Sequence, residues 1–302
     1  MSNLLWIQGL SCNGNTQSFF CAENIDIFLK SINILYHPAM SYSDDLFQII
    51  DKIENGDINL NFLVIEGAIT KNKDICRLGN FSIVEILEKI IPKTDYIIAV
   101  GNCASFGNIP ALYRDDIKGL QFKFKEKNRY LAEDFKTRKN YPVINISGCP
   151  AHPEWIIRTI LQLHYGYEIK LDKYNRPKEL YMYLTHDGCI RNEYFEWKVE
   201  TTEFGKKEGC LFIDLGCRGP MTHSSCNKIL WNNTSSKTRA GMPCIGCTEF
   251  DFPRKNMFET KKNIGIPEDI PLGISKRAYI MISGVAKTFK NERLENKLEE
   301  TE

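Results

Sequence analysis

The chain carries no excess of charge of either sign: 39 Lys and Arg stand against 38 Asp and Glu over 302 residues, a formal net charge of +1. So balanced a surface has no basic field to neutralise a phosphate backbone or grip an anionic membrane, and nucleic acid is not an expected partner. There is no run of about 18 apolar residues of the kind a spanning helix needs. The opening MSNLLWIQGLSCNGNTQSFF lacks the basic, apolar and small-residue regions of a secretory signal, so the expected compartment is the cytoplasm. Disorder is excluded by a hydrophobic share of 43%, to which 20 Gly add. Histidine is scarce at 5, but cysteine is not: there are 11, an odd number. In a reducing compartment thiols seldom pair, and metal is the natural use for them.

A length of 302 residues predicts two domains at about 150 residues each. Over 1–166, short apolar runs alternate with amphipathic stretches, the pattern of a parallel sheet flanked by helices. Strands are predicted at Leu4–Ile7, Asn33–Tyr36, Phe62–Glu66, Tyr96–Val100 and Val143–Ile146. Helices are predicted at Thr16–Lys30, Asp44–Asn55, Ser82–Ile91, Pro110–Leu120 and Pro153–Tyr165, the last capped near Ala151 or His152. The fold class is therefore α/β, with a flavodoxin-like first domain. From 167 to 302 regular elements are hard to find, while turn-formers, cysteines and histidines crowd the stretch up to Pro253, as in a weak core stapled by metal. Lys287–Glu302, rich in Lys and Glu, reads as a solvated helix or frayed tail.

In an open parallel sheet, functional groups gather beyond the carboxyl ends of the strands. Cys12, Cys103 and Cys149 each follow a predicted strand, and glycines beside them let backbone N–H groups approach a bulky centre. Glu66 ends the third strand at the same edge and could shape the pocket, carry protons or cap the strand. One buried cysteine alone would read as a small hydrophobe; three at equivalent strand ends read as a half-cage for iron and sulfide. Further on, His186 and Cys189 share HDGC, Cys210 and Cys217 bracket CLFIDLGC, and Cys226 precedes the Cys244-x-x-Cys247 pair. This makes one group of four ligands and one of three. On spacing alone, structural zinc competes with iron–sulfur in this half. The crevice cysteines favour a redox cofactor.

Seven segments in order, WIQGLSCNGN, EGAI, GNCASFGNIPA, SGCPAHPEW, HDGC, CLFIDLGCRGP and CNKILW with the later MPCIGC, resemble the small, electron-transferring subunit of nickel–iron hydrogenases. The resemblance covers about Leu4 to Pro253. It implies a flavodoxin-like domain binding a proximal cluster through Cys12, Cys103 and Cys149. It also implies an irregular domain holding a distal four-iron cluster on His186, Cys189, Cys210 and Cys217, and a medial three-iron cluster on Cys226, Cys244 and Cys247. One position departs from the family: Asn15 stands where most members have a fourth proximal cysteine. The proximal centre is then either a three-iron cluster or a four-iron cluster with a non-cysteine ligand, at a raised potential. Cys21, about six residues and ~9 Å of helix further on, is expected to pack instead of ligating.

The resemblance further implies an obligate large subunit that holds nickel and iron, since the chain lacks the paired Cys-x-x-Cys motifs that bind them. A compact chain of 302 residues has a radius of gyration of roughly 19 Å, too far across for one tunnelling hop, so a row of centres is needed. His186, longer and more easily solvated than cysteine, suits the outermost of them. Three other readings compete with an H2-oxidising relay: a hydrogen-sensing complex, a zinc-stabilised protein-binding module, and a respiratory electron-transfer subunit, which would lack the HDGC and CIGC segments. The acceptor is unidentified, no direct membrane span is expected, and heterodimers could assemble further.

Overall fold

The computed structural model describes residues 1–40, 45–79, 81–127, 130–253 and 269–300. Two compact units emerge, one formed by 1–180 with the returning segment 248–252, the other by 181–247 with 253–302. The first unit thus runs past the 166/167 boundary drawn from composition. The reason lies in what the added residues contact: Asn145 N–H donates to Asn175 O, Ile169 N–H donates to Tyr141 Oη, and Arg176 holds the returning Thr248 carbonyl at 3.1 Å.

All five predicted strands form one parallel sheet: β1 (Ser2–Gln8), β2 (Ile32–Tyr36), β3 (Leu60–Glu66), β4 (Thr94–Val100) and β5 (Ile144–Ile146). They stand side by side in the order β5-β4-β3-β1-β2, with register pairs such as Leu5 with Leu63 and Ile65 with Ala99. The order reverses between β1 and β3, which opens a crevice at their carboxyl ends. The inner strands read as nearly continuous apolar runs because helices cover both faces.

On one face α3 (Leu46–Asn55) and α4 (Ile83–Ile90) deliver Ile49, Ile50, Ile53, Ile86, Leu87 and Ile90 to the sheet residues Leu5, Ile7, Leu63 and Ile97. Asp45 caps α3 by accepting from Phe47 N–H at 3.1 Å, while the predicted start at Asp44 lies outside the described residues. Ser82 and Glu85 close a capping box on α4. On the other face lie α1 (Gly14–Phe20), α2 (Ile25–Ser31) and α7 (Pro153–His164), the last capped by His152, whose Nδ1 accepts from Glu154 N–H.

The single helix predicted over Thr16–Lys30 is in fact α1 and α2. Phe19 and Phe28, nine residues apart, would sit on opposite sides of a continuous helix and ~13 Å apart along its axis. The break at Cys21–Asn24 brings their rings to 5.2 Å, with Phe19 also packed against buried Trp6 and His37. Cys21 is exposed at the end of α1, so it does not serve as the packing residue expected.

Two further helices differ from expectation. Cys103, which follows the fourth strand as expected, sits in a short helix, α5 (Gly101–Phe106), that is absent from the predicted helices. The helix expected over Pro110–Leu120 is α6 (Asn108–Tyr113), after which Arg114 turns extended and Ile117–Lys118 pairs antiparallel with Ile69–Thr70. Burial of Ile117 against Ala68 and Ala111, and the bond from Thr70 Oγ1 to Asp116 at 2.8 Å, outweigh about two more turns of helix.

In the second unit the described residues form short helices, including Asn192–Trp197 and the 3-10 turn Thr185–Gly188, joined by irregular chain and isolated bridges. A small core of Tyr194, Val199, Cys210, Phe212, Tyr279 and Leu294 holds it. Leu294 comes from the helix Glu292–Glu299, so the charged tail is anchored along one edge; residues 301–302 lie outside the described residues. Among the described residues no helix is long and apolar enough to cross a membrane.

Candidate metal centre

At the crevice, Cys12 follows β1, Cys103 lies in α5 after β4, and Cys149 follows β5. The three thiols are electrostatic neighbours: burial, then Cys149, push the Cys103 thiol up to about 12, with Cys12 adding to the effect. A thiol so disfavoured as an anion is inert unless a metal's charge compensates the thiolate. Cys12 itself is exposed, as a cluster facing a partner would require.

Glu66, fully buried at the end of β3, organises the loop that carries Cys12. Its carboxylate accepts from Thr16 Oγ1 at 2.6 Å, Ser11 Oγ at 2.9 Å, Asn15 N–H at 3.0 Å, Gln8 Nε2 at 3.2 Å and Trp6 Nε1 at 3.3 Å. Burial works to raise its pKa, but the bonds from Thr16, Gln8 and Ser11 outweigh that and hold it below the ordinary carboxylate value. Of the roles open to Glu66, fixing the loop is the one these contacts describe.

Asn15 is equally committed. Its Oδ1 accepts from Ala151 N–H at 2.9 Å and its Nδ2 faces Glu66 at 3.5 Å, so the side chain ties the Cys12 loop to the Cys149 loop. Gly101, with φ of +85°, is glycine because a Cβ there would fall 2.2 Å from Asn15 Nδ2.

In the second unit His186, Cys189, Cys210 and Cys217 line one partly open cavity of about 320 Å³, solvent at its mouth included, shared with Arg191, Phe195 and Gly219. Cys217 Sγ accepts from Cys244 N–H at 3.2 Å and Gly219 N–H at 3.4 Å, and a Cβ on Gly219 would crowd that sulfur at 3.4 Å. Such N–H donors and a glycine cradle are what a sulfur ligand to iron needs. The His186 imidazole is pulled below its ordinary pKa by burial, which keeps it neutral and able to ligate. Its ring stands edge-on to Phe195, centroids 4.5 Å apart.

Cys226 and Cys244 are also neighbours, with burial the main cause that raises both thiols and Cys226 pushed up to about 11. Cys247 follows Cys244 across Ile245 and Gly246. Among the described residues no three His, Cys, Asp or Glu side chains close on a single ion, so the tetrahedral zinc geometry weighed from spacing is not formed.

Two site residues escaped the sequence reading. Arg191, 2% exposed, lines the cavity and donates to the carbonyls of Lys206, Glu208, Gly209 and Thr238, placing positive charge beside Cys189, Cys210 and Cys217. Its place two residues after Cys189 was the available signal. Asn108 is fully buried next to Cys103.

A flavodoxin-like sheet with thiols along its crevice, joined to an irregular unit with further thiols and an imidazole around a cavity, defines an electron-transferring iron–sulfur subunit. Residues 181–259 match the family described as the C-terminal part of the NiFe/NiFeSe hydrogenase small subunit, and residues 12–163 match the NADH ubiquinone oxidoreductase 20 Kd subunit. The F420 non-reducing hydrogenase II small subunit of Methanosarcina mazei is 30% identical over 288 residues, covering 83% of this chain and 73% of that protein. The periplasmic [NiFeSe] hydrogenase small subunit of Desulfomicrobium baculatum is 29% identical over 83% of this chain and 84% of its own length. Among solved structures, the actinobacterial-type NiFe-hydrogenase from Ralstonia eutropha H16 superposes with a TM-score of 0.76 at 27% identity, covering 96% of this chain and 92% of that one. The chain belongs to the family of nickel–iron hydrogenase small subunits and is an electron-transfer component of an oxidoreductase acting on hydrogen. The match over 181–259, which contains HDGC and CIGC, separates it from the respiratory subunit whose first domain it shares.

Proposed function

We propose that the chain carries electrons between a nickel–iron large subunit and an external acceptor through three iron–sulfur clusters during hydrogen oxidation. The observation that carries this is the cavity lined by His186, Cys189, Cys210 and Cys217, because an imidazole and three thiols around one space supply the four ligands that a four-iron cluster takes. These four residues would hold the distal cluster, Cys226, Cys244 and Cys247 a medial three-iron cluster, and Cys12, Cys103 and Cys149 the proximal one, of three irons or of four with a non-cysteine ligand. When bound, such clusters supply one-electron redox chemistry at potentials set by their ligands and surroundings.

The chain's own residues do the positioning. Glu66 fixes the Cys12 loop, and Arg191 balances thiolate charge at the distal pocket. Exposed Leu112 and Tyr113 on α6, one turn beyond the Cys103 helix, offer apolar surface for the large subunit to bury. His186 lies where the acceptor would dock. The sensing role has no feature of the site in its favour.

The test is to purify the chain with its co-produced large subunit, determine metals and acid-labile sulfide, and follow hydrogen-dependent dye reduction. The reading expects about ten or eleven iron atoms per small subunit with broad visible absorption. Zinc without colour, or an iron count that does not fall by about four atoms when Cys189, Cys210 and Cys217 are all changed to serine, would overturn it.

A further inference from the structure

Asn108 is 0% exposed, and among the described residues neither its Nδ2 nor its Oδ1 has a partner in hydrogen-bond geometry. A carboxamide buried this way costs about 1–3 kcal/mol per unsatisfied group, so its retention asks for a reason. Its backbone adds to the cost: φ is +47°, the left-handed region that glycine adopts freely and asparagine less so. What the amide does face is sulfur. It lies within reach of the Cys103 side chain, held there by the turn in which Gly107 N–H donates to the Cys103 carbonyl at 2.9 Å. A neutral thiol is a weak acceptor and forms no full bond with it. A thiolate held on iron, electron-rich and stripped of its proton, is the acceptor this N–H lacks.

We infer that Asn108 donates its Nδ2–H to the Cys103 sulfur of the loaded proximal site and sets that centre's reduction potential. The inference rests on the assignment of Cys103 as a proximal ligand. It divides the work between two asparagines: Asn15, whose oxygen is engaged by Ala151 N–H, braces the loops, and Asn108, free of other partners, reaches the sulfur. A hydrogen bond to a ligand sulfur strengthens as electron density on it rises, so it favours the reduced state and raises the potential.

The experiment uses the complete heterodimer and an EPR-monitored redox titration of the signal that Cys103→Ser abolishes. Asn108→Gly removes the donor and relieves the left-handed strain, so the proximal potential should fall while iron content and thermal stability hold. Loss of one such bond corresponds to about a tenfold change in the oxidised-to-reduced ratio at fixed ambient potential, equal to about 59 mV for a one-electron couple. Asn108→Asp keeps the shape, removes both N–H donors and adds negative charge, and should lower the potential further. An unchanged potential in the glycine variant, or a rise in the aspartate variant, would overturn the inference. If the parent complex lacks any signal sensitive to Cys103→Ser, the ligand assignment itself has failed, a result distinct from the other two.

Discussion

Changing Glu66 to glutamine tests whether the proximal loop is held by a buried anion. Both carboxylate oxygens face donors only: Oε2 accepts from Trp6, Gln8 and Thr16, and Oε1 from Ser11 and the backbone of Asn15. Glutamine must turn its NH2 toward one of these sets. The hydroxyls of Ser11 and Thr16 can rotate to accept from it, and the Gln8 amide can flip. The Asn15 N–H and the Trp6 indole N–H cannot, so one fixed donor is orphaned in either orientation. That orphan costs about 1–3 kcal/mol, and the remaining bonds drop from charge-assisted to neutral strength, which brings the total to about 3 kcal/mol. The pH dependence has a definite sign. The folded-state pKa of Glu66 is depressed, so its stabilisation is complete above the ordinary value near ~4.3 and is lost as pH falls through the folded value. Denaturation of the intact heterodimer should therefore show a parent–variant gap that stays flat between about pH 7 and 5 and narrows only below about pH 4. Equal stability at neutral pH, or a gap already closing between about pH 7 and 5, would refute the buried-anion account.

Asn15→Cys places a fourth thiol beside three others and removes the acceptor of Ala151 N–H; iron content per chain should rise or the proximal potential fall, and an unchanged metal count and spectrum would show that position 15 does not reach the metal. His186→Cys should retain the distal cluster, since thiolate replaces imidazole on the same wall of the cavity, while hydrogen-dependent dye reduction slows; loss of the medial EPR signal instead would show that the ligands are grouped wrongly. Arg176→Met removes a buried guanidinium that is 2.8 Å from Asp172 and 3.6 Å from Glu249, so both carboxylates lose this counter-charge. Its cost should be about 3–5 kcal/mol, read as a lowered denaturation midpoint, and a shift below about 1 kcal/mol would mean that the pair is solvent-screened.

What could be read from residue order was the part that local chemistry determines. Five apolar runs of strand length gave the sheet, because a strand buried on both faces has few other ways to look. The candidate ligand cysteines stood out because thiols gathered at strand ends and in short spaced groups point to metal. The 3.6-residue period of Thr16–Lys30 could not reveal its own interruption. The break lets Phe28 stack edge-on against Phe19 while Phe19 packs on Trp6, and the tryptophan comes from β1, outside the segment.

The roles of the polar residues around the cysteines were illegible for the same reason, and they are where this chain differs from a generic thiolate cage. Asn15 and Glu66 stood out by position but not by what they hold, Arg191 and Asn108 did not stand out at all, and each acquires a role only when separate segments meet: Asn15 with Ala151, Glu66 with Ser11, Arg191 with Thr238, Asn108 with Cys103. Spacing along the chain identifies groups that bond iron, since sulfur donors are few. It cannot identify groups that tune iron, since any amide can serve if the fold brings it close. The departure at Asn15 drew attention to ligand number as the source of an altered proximal potential. The free amide at Asn108 adds a second source that does not require a missing ligand, and the two are separable because a change in iron content follows from the first and not from the second.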